Sequence, residues 1–458
     1  MEQDASSRKE PFRLLPYVWL VLGVGALAYV SNTYGKEILH TLSHLEEAPS
    51  APILETVALI AICSFISFYA TRGTPIPSFV VAIALGIAGH ELFAPVVADR
   101  LLLSSLVTGL AALILFGGGL EMPLGSFLRL FVKVALLAVP GVLITGAALS
   151  FVVAGAGDVF GFAITPTVVI LLGAILASTD PAAIIPVLQG VQFKRREAKD
   201  IVIAESALND VVGALLTTVF LAIPLGGLSI LAAYQSLASV ETAEFLGYEA
   251  LYGVLFGVGG YLLLAFLSQI KRRDAEAYGA DQLFFLGAPF IAFVGAAAFH
   301  GSGFLAAFIA GLLFHAREHL AGIEHFFNQV IDGVAKPIIF LLVGALVDLN
   351  ALITYAPIGI AVGLLFMFVI RPAMVFLMLG IFSLLPSNRG GLTRGELLFI
   401  SFVRETGAIP AVLLVTAVST LTTPVAGLVE IGMWVILLTL IIQPPLTPFM
   451  ARKLSIAD

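Results

Sequence analysis

Apolar segments of about twenty residues follow one another almost from end to end of this chain, and that recurrence limits the fold more than any single motif. A run of that length, wound as a helix, crosses the hydrocarbon of a bilayer. Once there, every backbone N–H and C=O must be satisfied within the protein. Fourteen segments can be placed, near 15–33, 52–70, 76–93, 101–121, 129–154, 164–188, 200–223, 245–269, 281–299, 303–316, 331–348, 353–383, 396–418 and 422–448. The run at 303–316 is short and glycine-bounded, so 281–316 also reads as one broken element and the count as thirteen. With 59% of residues hydrophobic and only 12% charged, the apolar side chains could not be hidden in a water-soluble globule. An all-α polytopic membrane protein is expected.

Loop charge tests the count. If Arg8, Lys9 and Arg13 mark a cytoplasmic N-terminus, alternation places nearly every remaining basic residue inside. These are Arg72, Arg129, the cluster Lys194-Arg195-Arg196-Lys199, Lys271-Arg272-Arg273, Arg317, Arg389, Arg394, Arg452 and Lys453; only Lys36 and Arg100 fall outside. That asymmetry is the positive-inside pattern, with both ends cytoplasmic. Residues 1–50 read as the N-terminus, a leading helix and an external loop, 51–450 as the transmembrane domain, and 451–458 as a short tail. No cleaved signal and no soluble regulatory domain are expected. The lone Cys63 offers no disulfide and no redox pair. His315 and His319 lie four apart without completing a metal motif, and no phosphate loop, cofactor fingerprint or basic aromatic surface for nucleic acid is present.

A faint repeat adds a second layer. "ILFGGGLEM" ends the fourth segment at Glu121 and "FLLVGALVDL" ends the eleventh at Asp348, 227 residues on; Pro181 and Pro410 lie 229 apart. Seven segments separate the members of each pair, and an odd separation inverts one half against the other. Both prolines lack an N–H and crowd the preceding turn, so the sixth and thirteenth segments are expected to break there. Lipid cannot satisfy the freed backbone, so each break must line a protein cavity, where Thr179 and Asp180 complete a polar crossing and carbonyls can coordinate a cation.

The next polar island is "IAESALND". Two carboxylates, Glu205 and Asp210, sit on one apolar helix and must face the protein interior. At 100° per residue Ser206 and Asp210 share one face, and Glu205 and Asn209 a neighbouring one. Arg404 and Arg371 are candidate buried partners for Glu205, whereas Asn209 beside Asp210 supplies no compensating charge. A carboxylate can ligate a hard cation or hold a proton, but not both well at once. Competition at one such group couples the two, and access from alternate sides makes the exchange vectorial.

"STDPAA" at 178–183 followed by "ESALND" at 205–210, on consecutive helices, resembles the monovalent cation:proton antiporter-1 family, which spans bacterial sodium/proton antiporters and animal sodium/hydrogen exchangers. The likeness extends over roughly 50–450. It implies thirteen or fourteen helices in inverted repeats with two unwound crossing helices, a core domain, a dimerisation domain, and elevator-like exchange of sodium or lithium, in some members potassium, for protons. By that resemblance Asp210 is the carrier of cation and proton, Asn209 its neutral neighbour, and Ser206 and Thr179 oxygen ligands. Asp180 compensates exposed helix ends, and Glu205 is a structural acid paired with Arg404. The chain departs from the family's Arg-Gly-Ala pattern: "VRETGAIP" inserts Glu405 and Thr406 before Gly407, and Glu405 could neutralise Arg404 itself. The single titrating group of the Asn209-Asp210 pair predicts electroneutral one-for-one exchange, without a cofactor and with no enzymatic activity; the resemblance implies a homodimer, expected in the inner (plasma) membrane. Sodium is the first expectation and potassium the alternative. A passive channel would not need a carboxylate whose protonation excludes the ion. An intramembrane aspartyl protease would need a glycine-rich context around a second aspartate, which is lacking.

Overall fold

The structure, a computed structural model, describes residues 15–44, 51–71, 77–179, 188, 190–271, 281–314, 321–386, 391–423 and 425–457. Among these nearly everything regular is helix, with one isolated β-bridge between Phe193 and Ala457. The first half contains α1 (Leu15–His44), α2 (Ala51–Ala70), α3 (Ser78–Ala88), α4 (His90–Ala98), α5 (Arg100–Leu120), α6 (Leu124–Ala138), α7 (Pro140–Phe160), α8 (Pro166–Leu176) and α9 (Glu197–Ala222). A short α10 (Ile230–Ser236) leads to α11 (Val240–Lys271). The second half contains α12 (Asp281–Ala298), α13 (Gly303–Phe314), α14 (Ala321–Val330), α15 (Lys336–Ala345), α16 (Leu349–Thr354), α17 (Ala356–Leu365), α18 (Arg371–Leu379), α19 (Arg394–Phe402), α20 (Ala408–Thr420) and α21 (Leu428–Lys453).

Seven of the described helical stretches are long and apolar enough to cross a membrane, and α3 with α4, bent by 89°, make an eighth. The shorter apolar helices fall where the sequence has breaks: α8 and α20 beside the crossing prolines, α12 and α13 on either side of His300. The expected 281–316 region is therefore two helices; His300 sits between them with φ of 59°. Burial grades the bundle. Of the spanning window in α9, 78% is buried, against 28% in α11, whose Leu251, Leu255, Leu262 and Phe266 point outward. The helix carrying the acids is thus enclosed by the protein, and α11 offers apolar side chains to the surroundings.

The two halves interlock through glycines. A Cβ on Gly86 of α3 would come within 2.1 Å of the Leu341 carbonyl oxygen on α15, and one on Gly311 of α13 within 2.0 Å of the Phe116 carbonyl oxygen on α5. Gly119 and Gly344 behave alike, at 2.4 Å from the carbonyl oxygens of Phe308 and Ile83. Only a residue without Cβ permits these backbones to meet. Every residue of one contact has its counterpart 225 positions away in the other, so exchanging the halves maps the packing onto itself. The inverted repeat is present, but Glu121 and Asp348 are not its equivalent residues. Glu121 ends α5, while Asp348 caps the start of α16 by accepting from the Ala351 N–H at 2.7 Å. The helix glycines set the register, and the acidic ends drift from it by two residues.

Two π turns, Ile331–Ala335 and Phe366–Ile370, each run directly into a basic residue followed by proline: Lys336-Pro337 and Arg371-Pro372. The proline ring crowds the carbonyl four residues back and supplies no N–H, and a widened turn relieves both demands. Each turn rotates a buried cation inward; Arg371 is fully buried and Lys336 is 7% exposed.

Candidate functional site

The first crossing forms where α8 stops. Its helix ends at Leu176; Ala177 and Ser178 close a last turn, Ser178 N–H reaching the Ile175 carbonyl at 3.4 Å, and Thr179 leaves the helical pairing altogether. Asp180 and Pro181, both expected at this break, lie outside the described residues, as do His315 and His319. Proline at 181 cannot donate the N–H that a continuing helix would give to the Ala177 carbonyl. The Arg404 guanidinium takes that place, donating to the Ala177 oxygen while stacking over the Phe366 ring with 5.2 Å to its centroid. Arg404 comes from the second break, Val403 to Gly407 between α19 and α20, so the two unwound stretches meet. Pro410 lies in the first turn of α20, where a missing N–H is tolerated; it starts the second helix of the crossing, and the unwound residues precede it.

The side chains of α9 close around Thr179. Asn209 accepts from the Thr179 N–H at 3.0 Å through Oδ1, and its Nδ2 donates to Thr179 Oγ1 at 2.7 Å and to Glu205 Oε1 at 2.9 Å. Ser206 Oγ donates to the Thr179 carbonyl at 2.8 Å, which leaves the Thr179 hydroxyl to donate back to Ser206 Oγ at 3.0 Å. The expected face partition therefore shifts: Ser206 and Asn209 both serve the crossing. Asp210, 2% exposed, turns with Ala207 toward α5 and the π turn at 331–335.

Of the two candidate partners it is Arg371, not the Arg404 implied by the resemblance, that pairs with Glu205. Arg371 forks onto it, Nη1 to Oε1 at 3.1 Å and Nη2 to Oε2 at 2.6 Å, with Nη2 also reaching the Ile400 carbonyl at 3.3 Å. The Glu205–Arg404 pairing is thus corrected. Arg404 is drawn to an orphaned carbonyl, and the π turn before Arg371 delivers the better-placed fork. "RP" within an apolar segment was the available signal, since a buried arginine requires an acid.

A small cavity of about 20 Å³, room for one water-sized occupant, lies against Asp210 and is walled by Gly117, Gly118, Glu121, Asn328, Ile331, Asp332 and Lys336 among others. A Cβ on Gly117 would come within 2.2 Å of Ile331 Cδ1, so this glycine allows α5 and the π turn to close on the acid. Glu121 also lines a funnel of about 770 Å³, whose walls include Arg129, Lys133, Arg195, Arg196, Glu197, Asp200 and Ile203. Ile203 and Asp210 are seven residues apart on α9, about 10 Å of helix. Funnel and cavity share Glu121 in their walls, so this carboxylate stands between the wide opening and the small space beside Asp210. Sequence reasoning did not place Glu121, Asp332 or Lys336 here, because each lies at a segment end and looks like loop charge. No group of three or more His, Cys, Asp or Glu with metal-site geometry occurs among the described residues.

Comparison with known proteins agrees with the resemblance read from the two motifs. Residues 56–453 match the family described as sodium/hydrogen exchanger, transmembrane. A K(+)/H(+) antiporter NhaP from Alkalimonas amylolytica is 28% identical over 369 residues, covering 78% of this chain and 59% of that protein. A Na(+)/H(+) antiporter NhaP from Pseudomonas aeruginosa is 29% identical over 251 residues, 52% of this chain and 55% of the relative. The chain thus spans less than two thirds of the length of these relatives. Among solved structures, the sodium proton antiporter MjNhaP1 from Methanocaldococcus jannaschii at pH 8 has a TM-score of 0.67 at 24% identity, covering 86% of this chain and 99% of that one; the likeness establishes the fold.

Proposed function

Because the chain belongs to the transmembrane sodium/hydrogen exchanger family, we propose that it is a secondary antiporter, not an enzyme, exchanging one monovalent cation for one proton at Asp210. The observation that carries the reading is the position of Asp210: a buried carboxylate against a small cavity, beside a crossing whose Thr179 backbone groups are met by Asn209 and Ser206. A cation entering past Glu121 meets an anionic oxygen that either ligates it or holds a proton. Thr179 and Ser206 can add oxygen ligands once their mutual hydrogen bond opens. Asp180 is the further polar group of this crossing, next to the helix-breaking Pro181. The core, carrying α8, α9, α19 and α20, would move as an elevator against a dimerisation part, the protein working as a homodimer in the plasma membrane with both ends cytoplasmic. Residues 51–450 are assigned to the transport domain, with α1 a leading helix outside the matched region.

Sodium, or lithium, is the preferred ion, as a hard monovalent cation that the oxygens of Asp210, Ser206 and Thr179 could ligate. Potassium is the second reading, favoured by the name of the Alkalimonas relative. Purified protein in proteoliposomes, with proton movement followed on adding sodium, lithium or potassium in turn, decides between them. Sodium and lithium should each evoke proton flux without net current. A response confined to potassium would replace the sodium assignment, and flux that follows the cation gradient without proton movement would replace the antiporter by a channel.

A further inference from the structure

We propose that Lys336, held by Asp332, is a resident counter-charge of the Asp210 cavity that sets how tightly the site takes its cation and at what pH it does so. The proposal deepens the reading of Asp210 as carrier and rests on it. The structural basis is a parallel between the two π turns. Each presents a basic residue, just before a proline, to one of the two acids of α9: Arg371 to Glu205, and Lys336 to the cavity of Asp210. Arg371 is spent on a two-pronged ion pair. Lys336 instead pairs with its own turn, Nζ to Asp332 Oδ1 at 2.5 Å, and both side chains wall the space beside Asp210. The Lys336 side chain is 8% exposed and that of Asp332 49%, so the positive member is the one turned into the protein.

Among the described residues, the charged groups arrayed around Asp210 include Glu121 from the end of α5, Asp332 and Lys336 from the π turn and α15, Arg404 from the second crossing, and, one turn back on α9, Glu205 with Arg371. The last two neutralise each other. A lysine at the cavity wall favours the bare carboxylate and opposes any arriving cation, proton or metal alike, and Asp332 tempers that field. Lys336 therefore acts without touching the transported ion: it lowers the site's affinity enough for release and keeps the proton from holding the carboxylate over the working range.

Removing either partner should move transport in opposite directions, which a merely structural pair would not do. In proteoliposomes, Lys336→Gln should lower the apparent cation Km at alkaline pH about threefold or more and shift half-maximal exchange upward by about half a pH unit, because the proton also competes better. Asp332→Asn should raise the Km and shift the midpoint downward by similar amounts, and Lys336→Arg should stay near the parent. Sodium-induced stabilisation of the detergent-solubilised variants, a binding readout independent of flux, should follow the same order. Unchanged Km and pH midpoint in both charge-removing variants, or shifts in the same direction, would overturn the proposal. If Lys336→Gln does not fold, Asp332→Asn and Lys336→Arg carry the test by themselves: an unshifted Asp332→Asn, or a Lys336→Arg midpoint that moves upward, overturns it. Asp210→Asn is measured alongside, because persisting coupled exchange in that variant rejects the carrier assignment, whereas its loss with unshifted Lys336 and Asp332 variants rejects only the counter-charge.

Discussion

The two crossings are built to one plan and differ in chemistry. At the first, Asn209 of α9 accepts from the Thr179 N–H. At the second, Thr439 of α21 accepts from the Thr406 N–H at 3.1 Å, and Gln443, one turn further, donates to the Phe402 carbonyl at 2.7 Å. Both α9 and α21 are 26 residues long, and each braces the break in its own half with neutral amide or hydroxyl groups. At these hydrogen bonds neither crossing uses an acid of the bracing helix. The carboxylates of α9 answer to something else: Glu205 to Arg371, Asp210 to the cavity. The bracing is shared by the two halves, whereas a carboxylate on the bracing helix, set beside a cavity, is found at the first crossing, and that is the group proposed to exchange cation for proton.

The sharpest way to break that comparison is Asp210→Asn, which makes the first crossing as uncharged at this position as the second. Coupled exchange should vanish in proteoliposomes while the purified protein keeps its melting temperature within a few degrees, since the hydrogen bonds of Asn209 and Ser206 to Thr179 are left in place. Next in size is Glu205→Gln, which strands the buried Arg371 guanidinium. A loss of about 3–5 kcal/mol is expected, seen as lower expression and an earlier detergent melt. Adding Arg371→Met should restore part of the loss, and adding Arg404→Met should not; equal restoration by both would return Arg404 to the pair. Smallest is Thr439→Val, which keeps shape but orphans the Thr406 N–H. It should cost about 1–3 kcal/mol in the same melt and leave the cation Km unaltered. A changed Km there would mean that the second crossing also handles the ion.

What the sequence could show depended on how far each feature reaches. The segments, the charge asymmetry and the two motifs are local, and they sufficed for a helical antiporter-like bundle with Asp210 and Thr179 at its centre. The partner of Glu205 is not local. Arg371 and Arg404 are equally basic and equally embedded in apolar sequence; the choice between them turns on a π turn at 366–370 and on an orphaned carbonyl at Ala177, neither visible as spacing. Lys336 was hidden for a related reason, since a lysine at the edge of an apolar run reads as a snorkelling surface charge until the preceding turn is seen to rotate it inward. The repeat was legible as an interval near 227, but its register of 225 comes from Gly86, Gly119, Gly311 and Gly344, whose role appears only when backbones touch.

The central claim is that Asp210 alone carries either the cation or the proton. It is tested most directly by counting protons released as sodium binds to the purified protein, in calorimetry repeated in buffers of different ionisation enthalpy. Near the midpoint of the exchange profile, the parent protein should release a substantial fraction of one proton per sodium bound, falling toward zero at alkaline pH where the site is already bare. Asp210→Asn should show neither binding nor release. Sodium binding with undiminished proton release in Asp210→Asn would place the exchanging group elsewhere and contradict the account.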